Sequence, residues 1–105
     1  MRSSLVLAAV IAIASPAVAA ETHVVTMAGS VYHPASLTAR VGDTIRFVND
    51  DGADHDVLVP TLGHAVDLGS QKPDEERQMT VLKPGTFGVE CVLHEHMILT
   101  VEVTP

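Results

Sequence analysis

The chain has 105 residues, a net charge of −7 with neutral histidines, six histidines and a single cysteine. One cysteine excludes an internal disulfide, and the acidic balance makes nucleic acid and anionic membrane surfaces poor partners. From Glu21 onward five basic side chains (Arg40, Arg46, Lys72, Arg77, Lys83) face all thirteen acidic ones, a net charge of −8.

Residues 1–20 have the pattern of a secretory signal. Arg2 gives a positive start, an apolar run spans Leu5 to Ala14, Ser15-Pro16 breaks it, and Ala17-Val18-Ala19 fits a small-residue cleavage site. The apolar run falls well short of the roughly 20 residues that cross a bilayer. Cutting after Ala19 or Ala20 would leave one domain over residues 21–105 in an oxidising compartment, the periplasm. No other segment is apolar and long enough to span. A lone thiol there is a liability unless it is buried or ligated.

The remainder reads as all-β. Short β-branched runs predict strands at His23–Ala28, Ser36–Val41, Thr44–Asn49, His55–Val59, Ala65–Leu68, Arg77–Leu82, Thr86–Cys91 and Ile98–Val103. Turn residues separate them at His33-Pro34, Gly42-Asp43, Asp51-Gly52, Pro60 to Gly63, Lys72-Pro73-Asp74 and Lys83-Pro84-Gly85. The Pro73–Arg77 loop has room for one helical turn. Alternation assigns faces: Ile45 and Phe47 share one, as do Phe87, Val89 and Cys91, and as do His55, Val57 and Val59. Cys91 thus points inward at a strand end and His55 inward at a strand start. The pattern predicts a β-sandwich of about seven to eight strands.

The chemistry concentrates in Cys91-Val-Leu-His94-Glu-His-Met97. A thiolate, an imidazole and a thioether within seven residues, between one strand and the next, suit copper in both oxidation states. Two histidines and one cysteine with a weak axial methionine form the blue-copper donor set. His55, inward-facing on another strand, is the candidate for the second imidazole. Taken singly, each of these residues has a plainer reading, as a core cysteine, a packed methionine or a solvated histidine; their combination points to a metal. A thiolate and thioether together make a poor generator of zinc hydroxide, which argues against a zinc hydrolase.

Several stretches carry a resemblance. Tyr32-His33-Pro34-Ala35, the strand Val41-Gly42-Asp43-Thr44-Ile45-Arg46-Phe47-Val48-Asn49, the approach Lys83-Pro84-Gly85-Thr86-Phe87 to Cys91, and the short Cys-x2-His-x2-Met loop are similar to those of the cupredoxins, the small blue copper proteins. The resemblance implies a cupredoxin-like Greek-key β-sandwich holding one copper ion, with His55, Cys91 and His94 as strong ligands and Met97 as the weak axial one. It implies that Asn49 ties the His55 loop to the Cys91 loop. It also implies that the edge of His94 is the electron's way out.

The function expected from this is a monomeric, non-enzymatic periplasmic carrier shuttling single electrons. Its partner would be a redox protein such as a cytochrome, dehydrogenase or oxidase. The cluster Asp50, Asp51, Asp54 and Asp56 would steer a basic partner, although a solvated loop is the plainer reading. The alternative is a copper-resistance or copper-delivery protein on the same fold, with His64 and His96 forming a second, exposed metal site. Met27 and Met79 read as core residues.

Overall fold

The computed structural model describes residues 19–105. The signal read over residues 1–20 therefore lies almost wholly outside the described residues. Among them no helix is long and apolar enough to cross a membrane. Nine strands occur there: β1 (Thr22–Ala28), β2 (Val31–His33), β3 (Ser36–Arg40), β4 (Thr44–Asn49), β5 (His55–Val59), β6 (Val66–Gln71), β7 (Glu76–Thr80), β8 (Gly85–Glu90) and β9 (Ile98–Thr104).

The strands form two sheets, ordered β2-β1-β4-β7 and β3-β9-β8-β5-β6. β1 pairs with β4 and β3 with β9 in parallel, and the other pairings are antiparallel. Parallel neighbours separated by strands of the other sheet are the mark of crossovers between the layers, as in a Greek-key sandwich.

The alternation read in the sequence holds in the burial. Ile45, Phe47, Val57, Phe87 and Val89 turn into the space between the sheets, together with Met27, Leu99 and Val101. The Tyr32 and Phe47 rings meet edge to face with centroids 6.1 Å apart. Each such aliphatic or aromatic side chain contributes about 1.5–3 kcal/mol by leaving water. Met27 is fully buried and Met79 packs on the core from its margin.

Three features differ from the sequence expectation. β2 is an additional short strand, paired with β1 through Tyr32 opposite Met27. β6 runs on to Gln71: a bulge against β5 between Val57 and Leu58 leaves Leu68 without a partner, and Gly69 stays in register with Val57. There Gly69 takes φ of 75°, a left-handed conformation that favours glycine. The Pro73–Arg77 segment forms no helical turn: the Glu75 N–H donates to Lys72 O at 3.1 Å, Asp74 is left-handed with φ of 67°, and β7 begins at Glu76.

The sandwich has two poles. β4 rises from a turn at Asp43 to Asn49, and its six residues place these ends about 20 Å apart. At the Asp43 pole the Asp43 N–H donates to Arg40 O at 2.9 Å and Gly42 supplies the positive φ of 96° needed at the third turn position. The Asp43 carboxylate accepts the N–H groups of Arg40 and Glu21 and the Nε2–H of His23, all at 2.9 Å.

Those backbone donors, then His23, hold the Asp43 carboxyl down at about 2 against an ordinary 3.8. The unfolded chain therefore takes up this proton first on acidification, so the stability it contributes is complete above about pH 4 and is lost as pH falls toward 2. Thermal midpoints measured from pH 5 to pH 2 should fall over that window, and Asp43→Asn should flatten the fall.

Candidate metal centre

The opposite pole gathers the ends of β4, β5 and β8 and the start of β9. β5 begins with His55, which is fully buried; Cys91 directly follows β8 and is 5% exposed. Their donor atoms and that of His94 lie within 4.8 Å of one another. His55 Nδ1 is 3.2 Å from His94 Nδ1, and Cys91 Sγ is 3.6 Å from His94 Nδ1. Donors standing ~2.0–2.3 Å from a first-row metal in a trigonal plane are about 3.5–3.8 Å apart. A shift of roughly 0.3 Å brings the two nitrogens to that spacing, and Cys91 Sγ already stands at it from His94 Nδ1.

The loop from Cys91 to Met97 is closed at its base and within. The Cys91 N–H donates to Met97 O and the His94 N–H to Cys91 O, both at 3.3 Å. Two residues between Cys91 and His94 let this turn bring both side chains to the same side. Met97 closes the loop with its side chain 1% exposed, in the core that also holds Cys91.

His55 is oriented from behind. Its Nε2–H donates to Asp51 Oδ2 at 2.8 Å, which leaves Nδ1 with its lone pair facing His94 and Cys91. A metal ion between the two nitrogens would take both lone pairs. The Ser30 N–H, donating at 2.9 Å, and then His55 hold the Asp51 carboxyl down at about 2, so it is a full anion at neutral pH. Asp51 thus turns inward to position the His55 ring, whereas in the sequence it reads as one of a solvated acidic run. Asp50 and Asp54 are exposed as that run implies.

The links between the His55 and Cys91 segments also differ in part from the expectation. Asn49, fully buried, donates through Nδ2 to Ala53 O and Gln71 O, each at 2.9 Å, and its Oδ1 accepts the Asp51 N–H at 3.0 Å. It braces the 50–54 loop against β6, not against the Cys91 loop. The bridge to Cys91 comes from Asp56 and Tyr32. The Asp56 N–H donates to Cys91 Sγ at 3.3 Å, a contact that stabilises a thiolate. The Tyr32 hydroxyl lies 2.6 Å from Asp56 O and 3.1 Å from Glu90 O, clasping the strand start of His55 to the strand end before Cys91. Burial pushes this phenol above its ordinary value, so it remains a neutral donor. Gln71, opposite His55 across β5 and β6, is fully buried and donates to Phe47 O and Glu75 O at 3.2 Å.

His94 is half-buried, flanked by Val92 and Leu93 at 66% and 55% exposure, which give this rim an apolar outer surface. The structure does not bring His64 or His96 into the cluster. The His64 ring stacks on Phe87 with centroids 5.1 Å apart, and His96 is exposed with φ of 66°.

Comparison with known proteins agrees with this arrangement. The family model for the cupredoxin-like domain matches residues 3–101. Pseudoazurin of Paracoccus pantotrophus is 34% identical over 93 residues, a match covering 83% of this chain and 64% of the relative's own length. Plastocyanin of Synechococcus sp. (strain JA-2-3B'a(2-13)) is 33% identical over 101 residues, covering 82% and 74%. Among solved structures, the Cu(I) form of an amicyanin variant superposes with a TM-score of 0.74 at 30% identity, covering 83% of this chain and 86% of amicyanin. By sequence, by strand order and by the cluster at this pole, the chain belongs to the cupredoxin-like family.

Proposed function

We propose that this chain is a blue copper protein that carries single electrons between redox partners, with His55, Cys91 and His94 as its strong ligands and Met97 as the weak axial one. The observation that carries the reading is the buried convergence of two imidazole nitrogens and one sulfur at 3.2 and 3.6 Å. A donor set of this softness favours copper over zinc, calcium or magnesium, and the amicyanin structure it resembles is a Cu(I) form. Copper held there supplies a one-electron couple.

The protein's own contribution is rigidity. His55 is fixed by Asp51, Cys91 by the Asp56 N–H, and both strands by Tyr32. Ligands locked in this way keep similar positions in both oxidation states, so little must move when an electron passes. His94, with Val92 and Leu93 beside it, offers the short path to the surface. Its partner is a cytochrome, dehydrogenase or oxidase, and the exposed acids Asp50 and Asp54 favour a basic one. Export through the 1–20 signal places the monomeric domain of residues 21–105 in the periplasm, and it acts without catalysing a reaction of its own.

Protein-film voltammetry of the copper-loaded protein tests the carrier. It should give a reversible one-electron wave over repeated cycles, with copper retained. Loss of copper to a chelator on reduction or oxidation would instead support delivery or resistance.

A further inference from the structure

We propose a second metal site, for zinc or a similar borderline divalent cation, at the Asp43 pole, formed by Glu21, His23 and Asp43. The donor atoms of these three side chains lie within 4.8 Å of one another. They lie along a groove lined by Thr38, Ala39, Arg40 and Thr104, and by Ala19 in the uncut chain. The sequence offers no warning of it, because Asp43 stands 20 residues from His23 and only the parallel pairing of β1 with β4 brings them side by side.

The chemistry of the cluster differs from that of the opposite pole. One imidazole nitrogen and two carboxylates are a borderline-to-hard set, matched to Zn²⁺ and unsuited to Cu(I). The geometry is nearly in place. His23 Nε2 and Asp43 Oδ2 are 2.9 Å apart, and two ligands of a tetrahedral zinc stand about 3.3 Å apart. Separation by a few tenths of an ångström replaces their hydrogen bond with two metal bonds. In the 21–105 domain the Glu21 and Asp43 carboxylates are offset by Arg40 and by the Glu21 α-amino group, which donates to Asp43 Oδ1, so the attraction for a cation comes from the three converging donors and not from net charge.

Asp43 has a structural duty besides, accepting the Arg40 and Glu21 N–H groups. That duty explains Asp43 but not the His23 ring, 17% exposed over it, nor the Glu21 carboxylate, since the turn uses only the main chain of Glu21. The poles are about 20 Å apart along β4, so the two sites fill independently.

Isothermal titration with Zn²⁺ tests this, run in a Cys91→Ala background so that the His55 pole does not compete. One zinc per chain should bind, and His23→Ala should abolish that binding in a protein that stays folded, its thermal midpoint lowered only by loss of the His23–Asp43 hydrogen bond. Glu21→Gln should weaken it by about tenfold or more. Amide shifts in an NMR titration should fall on Thr22, His23, Asp43 and Thr44 and spare residues 91–97. Absence of zinc binding, binding that survives His23→Ala, or indifference to Glu21→Gln would each overturn the three-ligand site. None of these outcomes depends on copper at the other pole.

Discussion

Cys91→Ala is expected to leave a folded protein that no longer holds copper tightly. The side chain is small and lies at a strand end, so its loss costs on the order of 1 kcal/mol of stability. Its chemical loss is larger. Without the sulfur the centre retains His55, His94 and a weak thioether, and Cu(I) loses its strongest donor. The drop in affinity should exceed the roughly 10–100-fold seen when only a ligand's hydrogen-bond partner is removed. Competition against a chelator of known affinity, on reduced and oxidised protein, measures it. Copper binding equal to that of the unaltered chain would exclude Cys91 as a ligand.

Asp51→Ala should produce the next largest effect, although Asp51 is not one of the proposed ligands. Its carboxylate fixes the His55 ring by accepting Nε2–H, and the Ser30 N–H fixes the carboxylate in turn. Removing it frees the ring to rotate and to exchange tautomers, so that Nδ1 no longer holds its lone pair toward Cys91 and His94. Copper affinity should fall about 10–100-fold. Asp51→Asn should recover most of the loss, because an amide oxygen still accepts the same proton. Equal affinities for Ala, Asn and the parent chain would show that the ring is held by packing alone.

The metal cluster was legible in the sequence to the degree that it is local or periodic. Cys91 and His94 are bound by a short loop whose spacing dictates convergence, and His55 follows from strand alternation once Val57 and Val59 are seen to be core. Asp51 was not legible. Its place in an acidic run predicts solvation, and only the closure of the 50–54 loop by Asn49 turns it inward. Asn49 stands out in the sequence only through the family resemblance, and its position in the chain does not say which strand lies alongside. β5 pairs with β6, so Gln71 receives one of its hydrogen bonds and the Cys91 loop none.

The fold shows the same division. The long alternating strands were readable, because a half-buried surface imposes period two on the residues that form it. β2 was not, since three residues after Gly29-Ser30 and before Pro34 carry no period. The far end of β6 was masked by Gly69, where a bulge lets a strand continue through a residue that ordinarily ends one. The Glu21, His23 and Asp43 cluster is a still more distant case, assembled entirely by a parallel pairing between strands that are not neighbours in sequence.

In the proposed site a thiolate, two imidazoles and a thioether share one copper ion. The visible and electron-spin-resonance spectra of the protein loaded with Cu(II) test it most directly. The predicted result is one copper per chain, an intense thiolate-to-copper band in the visible region, and the narrow copper hyperfine splitting of a strongly covalent copper–sulfur bond. A nearly colourless protein with the wide splitting of copper bound by nitrogen and oxygen alone would contradict it.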